Sequence, residues 1–440
     1  MAGKSDPTRI LILGGGYVGM YTALRLQSKL GRREASVTVV DPQPHMTYQP
    51  FLPEAAAGNV EPRHVVAPLR RVLKRCHVLT ARVTEINKEK RSVTVEDAEG
   101  IASDLGYDVL VVALGSVSRL LPIPGLPEQG IGLKTVGEAI YLRNHVLAKM
   151  DAAANTSDPE LRKRLLTFTF VGGGYAGTEA LAELEDMARY ATRYYESITR
   201  DDMRWSLIEA AGRIMPEVSE KMGVYTVKAL EERDIKVYLN TFLKSVEDGH
   251  AVLSDGTEFD TDTLVWNAGV KANPVLKNSD LPLEERGRIK ATSHLQVEGS
   301  PEIWTAGDCS AVPDLSKTEE DPNATCAPSA QHAVRQAHQL AKNVISSMRG
   351  RKTGEYYHRN AGSVAGLGLY KGVADVYGFK AKGLIAWFMH RTYHVSKMPT
   401  FNRKARIIID WTLAFLFRRE VVSMGQIQNP RADFKRAASS

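Results

Sequence analysis

The chain has few cysteines and no long apolar run, and each absence removes a class of protein. Its 440 residues contain 3 cysteines, too few and too scattered for a disulfide framework or a zinc cluster. No stretch reaches the ~18–20 apolar residues of a membrane-crossing helix. The first residues lead straight into a strand-like run instead of a signal peptide, which predicts a cytoplasmic address.

The remaining composition is that of an ordinary globular protein. It is 43% hydrophobic and 25% charged, which excludes long disorder, collagen and coiled coil and predicts two or three domains. The net charge of +6 is unevenly placed, because residues 380–440 alone carry +9. A basic tail on a mildly acidic body favours docking on an anionic surface, with a solvated face as the alternative.

One complete strand–helix–strand unit stands at the start of the chain. The apolar strand Arg9–Leu13 runs into the glycine-rich turn Gly14–Gly19, and helical spacing then continues to Leu30. A second strand, Val37–Val40, ends in Asp41. This order of elements predicts a Rossmann-like domain.

The same pattern returns about 158 residues later. The strand Leu166–Val171 is followed by the turn Gly172–Gly177, a helix predicted over Thr178–Tyr195, and a strand, Trp205–Ile208, that ends in Glu209. Such an internal repeat predicts two nucleotide-binding domains of the same build.

A further apolar run, Ile303–Asp308, has no glycine-rich turn of its own and is therefore placed back in the first domain. We predict an α/β fold with two Rossmann-like domains, the second inserted in the first. The predicted ranges are 1–117 with 295–375, then 118–294, and a C-terminal region over 376–440.

The spacing of the glycines has a chemical reason in both turns. The first glycine permits the tight turn, the second lets the backbone approach a pyrophosphate, and the third lets helix and strand pack closely. Asp41 is placed to accept the ribose hydroxyls of one dinucleotide, and Glu209 would repel the 2′-phosphate of NADPH and so favours NADH. Two such sites predict hydride transfer between a flavin and a nicotinamide dinucleotide. The glycines alone do not decide which turn holds which.

Ala113-Leu-Gly115, Ala268-Gly269 and Thr305-Ala-Gly-Asp308, together with the two turns, resemble the pyridine-nucleotide flavoprotein superfamily over roughly residues 8–375. The resemblance implies that the first domain holds FAD and that Asp308 contacts it, with a helix N-cap as the other use of that carboxylate. The implied FAD contacts are Gly14, Gly15, Gly16, Tyr17, Gly19, Asp41, Val83, Ala113, Gly115, Gly307 and Asp308, and the implied NADH contacts are Gly172, Gly174, Tyr175, Gly177, Glu179, Glu209 and Gly269.

The segment after Asp41, Pro42–Pro53, has no cysteine. The disulfide reductases of this superfamily carry a cysteine pair there, so electrons must leave the flavin directly for an external acceptor. The same absence argues against a sulfide oxidase. By the resemblance, Tyr48–Pro53 packs near the flavin ring, with plain core packing as the alternative.

Within the superfamily the chain is similar to type II NADH dehydrogenases, the single-subunit NADH:quinone oxidoreductases that pump no protons. Their second turn carries a glutamate near nicotinamide and flavin, a role that falls to Glu179 as polar anchor or proton relay. Ala330-Gln-His-Ala-Val-Arg335 is similar to their quinone pattern Ala-Gln-x-Ala-x-Gln, which makes Ala330, Gln331 and Arg335 the candidate acceptor residues. Arg335 stands where a second glutamine is expected, and Gln336 follows one residue late. The other interpretation is an amphipathic helix that covers the flavin.

The C-terminal stretches Leu384–Met389 and Ile407–Phe417 are apolar, rich in aromatic residues and flanked by Lys and Arg. They correspond to the membrane-docking region of that family and predict a peripheral protein on the cytoplasmic side of the cell membrane, with self-association as a homodimer as the rival use. The histidines have no metal spacing and no nucleic-acid fold is present, so we predict neither a metal nor a nucleic-acid partner.

Two other functions fit the same residues. One is a soluble NADH-dependent flavin reductase of ferredoxin, rubredoxin or another small acceptor, which the Arg335 departure encourages. The other is a flavin-containing NADH sensor whose turnover is incidental. Rapid quinone-dependent NADH oxidation separates the dehydrogenase from both.

Overall fold

A computed structural model describes residues 6–358, 362–417 and 419–423. The chain divides into two compact units, each assembled from separate segments. Unit 1 comprises Met1–Thr47, Val66–Arg119 and Val270–Asn360, and unit 2 comprises Tyr48–Val65, Leu120–Gly269 and Ala361–Ser440.

The secondary structure alternates strands and helices through most of the described chain. The strands are β1 Thr8–Leu13, β2 Ala35–Asp41, β3 His45–Thr47, β4 Val66–Pro68, β5 His77–Thr80, β6 Arg82–Asn87, β7 Ser92–Glu96, β8 Ala102–Gly106, β9 Val109–Val112, β10 Ser116–Ser118, β11 Gly130–Ile131, β12 Thr167–Val171, β13 Arg204–Ile208, β14 Ile235–Tyr238, β15 Leu243–Ser245, β16 His250–Leu253, β17 Glu258–Asp260, β18 Thr263–Trp266, β19 Val270–Ala272, β20 Ile289–Lys290, β21 Gln296–Val297, β22 Ser300–Thr305, β23 Ser310–Ala311, β24 Gly362–Gly366, β25 Gly372–Val376 and β26 Phe379–Lys382. The helices are α1 Tyr17–Lys29, α2 Leu52–Ala56, α3 Leu69–Val72, α4 Leu126–Gln129, α5 Val136–Asn155, α6 Pro159–Leu165, α7 Tyr175–Ala191, α8 Glu220–Glu231, α9 Ala330–Met348, α10 Gly383–Lys397 and α11 Phe401–Phe417.

Unit 1 is built on a six-stranded sheet in the order β21-β22-β9-β1-β2-β5. Every pairing in it is parallel except that of β21 with β22. The central strand β1 is buried from Ile10 to Leu13, as its continuous apolar sequence requires of a strand covered on both faces. Because the strands are parallel, the ends of β1, β2, β9 and β22 meet at one edge, which is where ligands bind in such sheets.

The core of unit 1 joins this sheet to the antiparallel sheet β6-β7-β8. Buried side chains from both sheets pack together, among them Leu11, Leu110, Val93 and Val95. Helix α9 packs along α1 and covers another part of the unit. The six-stranded sheet that carries the ligand-binding edge is therefore supported by a single hydrophobic core.

Unit 2 repeats the plan with a five-stranded parallel sheet in the order β11-β18-β12-β13-β14. Its central strand β12 is buried at all five positions. The antiparallel sheets β15-β16-β17 and β24-β25-β26 and the helices α10 and α11 complete the unit. Thus the repeat seen in the sequence is a repeat of the sheet and its turn.

The two units have different bounds from the predicted domains. Residues 270–294 belong with unit 1, because β19 pairs with β10, β20 pairs with β23, and Leu276 and Ile289 lie in the core of that unit. Residues 48–65 belong with unit 2, where α2 packs against α5 and α7. The predicted C-terminal region begins too late, since the three-stranded sheet that supports α10 already starts at Gly362.

Candidate functional site

The first glycine-rich turn lies between β1 and α1 and has the geometry its spacing predicts. Gly14 has φ +100°, and a Cβ there would lie 2.3 Å from the Ala113 carbonyl oxygen. A Cβ on Gly19 would lie 1.7 Å from the Gly14 oxygen, so helix and strand approach too closely for any side chain. A Cβ on Gly16 meets no atom within 4 Å, and no side chain caps the helix there. The open amide end of α1 fits the pyrophosphate of a dinucleotide.

Asp41 closes the same edge from the end of β2. Its Oδ2 accepts a hydrogen bond from the Gly15 amide at 2.6 Å, and its Oδ1 accepts one from the Gln43 amide at 2.7 Å. Burial raises the pKa of the Asp41 carboxyl, and the two amide bonds oppose that rise. The carboxylate is thus fixed beside the turn.

Three other predicted FAD residues of unit 1 lie near this turn: Gly115, Gly307 and Asp308. Gly307 has φ +77°, and a Cβ on it would lie 2.8 Å from Val18 of α1. Asp308 follows inside a short 3₁₀ turn, where Ala306 and not Asp308 is the N-cap, and its Oδ2 accepts the Ser116 hydroxyl at 2.7 Å. Gly115 has φ +64°, next to Ser116. The N-cap alternative for Asp308 is therefore wrong.

Two further predicted FAD residues, Tyr17 and Val83, differ in how deeply they are buried. Tyr17 is the first residue of α1 and is half-buried at the turn. Val83 lies on β6 and is buried in the core of unit 1. Val83 therefore has a structural use that needs no ligand.

The second turn, between β12 and α7, repeats the first. Gly172 has φ +107°, and a Cβ there would lie 2.6 Å from the backbone of Asn267. A Cβ on Gly177 would lie 2.0 Å from the Gly172 oxygen, whereas one on Gly174 meets nothing within 4 Å. Tyr175 starts the helix and is half-buried, as Tyr17 is in the first copy.

Glu209 follows β13 and takes the position that Asp41 has in unit 1. Its Oε2 accepts the Gly173 amide at 2.6 Å and its Oε1 accepts the Ala211 amide at 2.7 Å. Gly269 has φ +93°, and its amide donates to the Asn267 carbonyl. The longer interval before Glu209 is taken up by α7 and the turn after it, so it does not move the carboxylate away.

Glu179 is buried one turn into α7, with 6% of its surface exposed. Its Oε1 accepts the Gly366 amide of β24 at 2.8 Å and lies 3.1 Å from Nε2 of His390 on α10. Burial lowers the pKa of His390, but the neighbouring carboxylates of Glu179 and Glu54 outweigh it, and the pKa is raised. The predicted catalytic carboxylate is therefore paired inside unit 2.

The structure continues this pair into a row of polar side chains that the sequence did not predict. The rings of His390 and His394 lie 4.5 Å apart, one helical turn from each other, and His394 Nδ1 lies 3.1 Å from the Tyr48 hydroxyl. Burial and the charge of His390 lower the pKa of His394 well below its usual value. The i, i+4 spacing of the two histidines was the signal in the sequence that could have indicated this contact.

The candidate acceptor residues occupy the first turns of α9 in unit 1. Ala330 is its first residue, Gln331 and Arg335 are half-buried, and the Arg335 guanidinium donates to the Gln331 carbonyl at 3.1 Å. Gln336, one residue past the expected position, is buried, and its Oε1 accepts the Gly307 amide at 2.7 Å. Gln336 thus connects α9 to Gly307, beside the first glycine-rich turn. The Arg335 hydrogen bond stays within α9.

The C-terminal helices expose a broad apolar face. Leu384, Ile385 and Phe388 of α10 and Ile408, Ile409, Leu413, Phe415, Leu416 and Phe417 of α11 are all exposed large hydrophobics. None of the helices in the described chain has the length and apolar character that crossing a bilayer requires. Arg418, Arg431, Lys435 and Arg436, which contribute to the basic tail, lie outside the described residues.

Two of the cations in this region are not on its surface. Arg391 is buried between the rings of Trp387 and Trp411, at 4.0 and 4.5 Å from their centres, and it donates to Glu54 at 3.0 Å. Arg419 is also buried and donates to Asp186 at 3.1 Å. The expectation that Lys and Arg flank these apolar stretches at a docking surface is therefore wrong for Arg391 and Arg419, because both are buried beside carboxylates of unit 2.

The carboxylate of Glu183, one turn after Glu179, belongs to the same group. It accepts the Asn59 amide at 2.6 Å and lies 3.9 Å from the Arg419 guanidinium. Burial and the neighbouring Glu54 raise the pKa of Glu183 to about 7, against the opposite effect of Arg419. Unit 2 therefore holds a carboxyl group that titrates near neutrality.

The chain is similar to known proteins over most of its length. The family model described as pyridine nucleotide-disulphide oxidoreductase matches residues 8–337. The type II NADH:quinone oxidoreductase of Staphylococcus aureus is 31% identical, over 88% of this chain and 94% of that protein. The external alternative NADH-ubiquinone oxidoreductase of Yarrowia lipolytica is 29% identical, over 95% of this chain and 81% of that protein.

A solved structure gives the same result for the fold. NDH2 from Plasmodium falciparum, in complex with NADH, matches with a TM-score of 0.87 at 19% identity. The match covers 95% of this chain and 100% of that one. At this identity the similarity is one of fold.

Proposed function

Since the chain belongs to the pyridine nucleotide-disulphide oxidoreductases and, among them, to the type II NADH:quinone oxidoreductases, we infer that it oxidises NADH with FAD and passes the electrons to a quinone without pumping protons. The observation that carries this is the pair of glycine-rich turns, each with an open amide end and a fixed carboxylate. Both cofactors of the reaction need such a site.

FAD is assigned to the turn of unit 1. Gly14, Gly15, Gly16, Tyr17 and Gly19 would hold its pyrophosphate at the end of α1, with Asp41 on the ribose, Gly307 and Asp308 near the helix, and Val83, Ala113 and Gly115 lining the rest. FAD bound there would supply the redox chemistry, which is acceptance of a hydride (a proton with two electrons) from NADH and release of the electrons to the quinone. The protein supplies position and polarity around it.

NADH is assigned to the turn of unit 2. Gly172, Gly174, Tyr175 and Gly177 would hold the pyrophosphate, Gly269 would border it, and Glu209 would bind the ribose and disfavour NADPH. Glu179 is the proposed catalytic carboxylate, because it is buried one turn from this site and its Oε1 is shared by the Gly366 amide and His390. That fixed position suits a group that anchors the nicotinamide or holds a proton.

The quinone is assigned to the start of α9, with Ala330, Gln331 and Arg335. A guanidinium can donate to a quinone oxygen more strongly than the family's amide, which supports the arginine in that place. The reductase of a ferredoxin-type acceptor and the flavin sensor stay the weaker alternatives, because the curated relatives that match across the chain are named as quinone reductases.

We place the protein on the cytoplasmic side of the cell membrane as a peripheral enzyme. The inserted nucleotide-binding domain is the one that binds NADH. The support for docking is the exposed apolar face of α10 and α11, together with the exposed cations Lys397 and Arg406 on the same two helices. Such a face suits the lipid interface. A homodimer that buries the same face is the rival, and co-sedimentation with anionic vesicles against sedimentation velocity separates the two.

The test of the proposed function is stopped-flow flavin reduction by NADH, followed by reoxidation with a short-chain quinone. We expect fast bleaching and fast recovery. Glu179→Gln should keep its FAD but bleach more slowly, by roughly tenfold or more, whereas the exposed-helix variant Glu231→Gln should match the wild type. Fast bleaching with slow quinone recovery would point to another acceptor, and unchanged kinetics in Glu179→Gln would remove that residue from the reaction.

A further inference from the structure

Unit 1 brings together three side chains that stand outside both glycine-rich turns. One ligand atom each of Asp314, Cys326 and His332 lies within 4.8 Å of the others. We propose that these residues form a binding site for one thiophilic divalent cation of the Zn²⁺ class. This site goes beyond the NADH:quinone reaction and does not depend on it.

Backbone pairing places the first two ligands side by side. The segment between them doubles back on itself, because the Cys326 amide donates to the Val312 carbonyl and the Asp314 amide donates to the Ala324 carbonyl, both at 2.8 Å. Pro313 and Thr325 form the bridge between these bonds. Asp314 and Cys326, twelve positions apart in sequence, therefore sit on opposite arms of one closed loop.

The third ligand comes from the start of α9. Ser329 caps that helix, its hydroxyl oxygen accepting the His332 amide at 3.1 Å, which puts the imidazole in the first turn. Tyr356 holds the ring, with its hydroxyl 2.9 Å from Nδ1. An ion at this point would tie the loop to α9.

The three groups have the chemistry of a zinc site. Thiolate sulfur, imidazole nitrogen and carboxylate oxygen are the donors that Zn²⁺ takes in proteins, and a thiolate with a carboxylate balances its two charges. Asp314 and Cys326 are buried, with 5% and 6% of their surfaces exposed. The Asp314 Oδ1 also accepts the Ser316 hydroxyl at 2.7 Å, a support of the kind that orients metal ligands.

A fourth donor stands next to the cluster. The ring of His358 lies 5.7 Å from that of His332, and its Nε2 is buried without a hydrogen-bond partner. Arg335 lies on the same helix as His332, and its positive charge opposes a cation. Cation binding therefore needs the negative charges of both the thiolate and the carboxylate, so substitution of either residue should lower the affinity for the cation.

The experiment is equilibrium dialysis of the tag-free, FAD-loaded protein against Zn²⁺, with metal analysis and zinc X-ray absorption. We expect one tightly held Zn²⁺ per chain with one sulfur neighbour. Cys326→Ser should lose the sulfur signal and lower the affinity by about tenfold or more, and Asp314→Asn should lower it similarly. The matched controls Cys76→Ser and Asp321→Asn should bind as the wild type does, and flavin content checks that each variant folds.

Three results would overturn the proposal. They are no stoichiometric Zn²⁺ in the wild type, a bound zinc without sulfur among its neighbours, or an affinity that Asp314→Asn leaves unchanged. The first two need no variant, so a Cys326→Ser chain that fails to fold still leaves a decisive measurement.

Discussion

The two glycine-rich turns share their local chemistry but lead into helices of opposite character. Each turn has an outer glycine closed by backbone, a middle glycine open to a ligand, and a carboxylate on the amide of the glycine between them. Beyond the turn, α1 has no acidic residue and buries apolar and small side chains. Helix α7 buries Glu179, Glu183 and Glu185.

The difference shows that the repeat preserves the glycine-rich turn and not the side chains of the helix that follows it. The turn is fixed by the pyrophosphate it must receive, so both copies keep it. The side chains of the helix beyond the turn are not constrained in this way. In α7 each buried carboxylate has a polar partner: Glu179 has His390, Glu183 has Asn59 and Arg419, and Glu185 has Arg233. Two of these partners come from the C-terminal segment, which thereby becomes part of unit 2.

The largest expected effect separates the two turns by their middle glycines. Gly16→Ala should fold, because its Cβ meets open space, but should lose FAD, since the methyl group occupies the approach of the pyrophosphate. Gly174→Ala should keep FAD and raise the KM for NADH by roughly tenfold or more. Flavin absorbance and steady-state kinetics measure both. Loss of flavin in Gly174→Ala, or its retention in Gly16→Ala, would reverse the assignment of the turns.

The next effect tests whether the C-terminal segment holds the acids of α7. Arg419→Gln leaves Asp186 and Glu183 without their cation, and removing one partner of a buried pair costs about 3–5 kcal/mol. Urea unfolding should show this loss. Arg406→Gln removes the same charge from an exposed position of α11 and should leave the free energy of unfolding nearly unchanged. Equal midpoints for the two variants would contradict a structural role for Arg419.

A smaller effect distinguishes the two terminal carboxylates. Glu209→Gln keeps an oxygen for the Gly173 amide but removes the charge that repels a 2′-phosphate. The ratio of kcat/KM for NADH over NADPH should fall by about tenfold. Asp41→Asn should change flavin retention and leave that ratio alone. A constant ratio in Glu209→Gln would exclude this residue from cofactor choice.

The smallest effect is a pH dependence of stability that arises from α7. Helix α1 has no acidic residue that could produce it. Burial raises the pKa of Glu183 to about 7, so the folded protein binds a proton that the unfolded chain has already released. This contribution to stability is complete below the ordinary glutamate pKa and is lost as the pH rises through 7. Glu183→Gln should flatten the fall in melting temperature between pH 5 and 8, roughly the window of that shift, and the exposed control Glu160→Gln should not.

Much of the fold was predictable because it rests on local rules. The turn Gly14–Gly19 and its copy Gly172–Gly177 could be placed from spacing alone, since only glycine fits their backbone conformations and close approaches. The strands before and after them are short apolar runs, and the structure has them within a few residues of the predicted bounds. Asp41 and Glu209 followed from the same pattern.

The domain bounds and the supporting residues were not predictable in this way. Residues 270–294 join unit 1 through strand pairings with segments more than 150 positions earlier, and no local signal marks them. Arg391 and Arg419 looked like surface charges, because the sequence shows their charge and not the buried carboxylates that neutralise it.

The order of residues alone was enough to predict two dinucleotide turns, their terminal acids and the absence of a cysteine pair beside the first turn. Each of these is a property of neighbouring residues and their backbone. The folded chain was needed to show which cations are buried, that Glu179 pairs with His390, and that Asp314, Cys326 and His332 converge. Those outcomes depend on which distant segments fold against one another, and this is set by the packing of the whole unit.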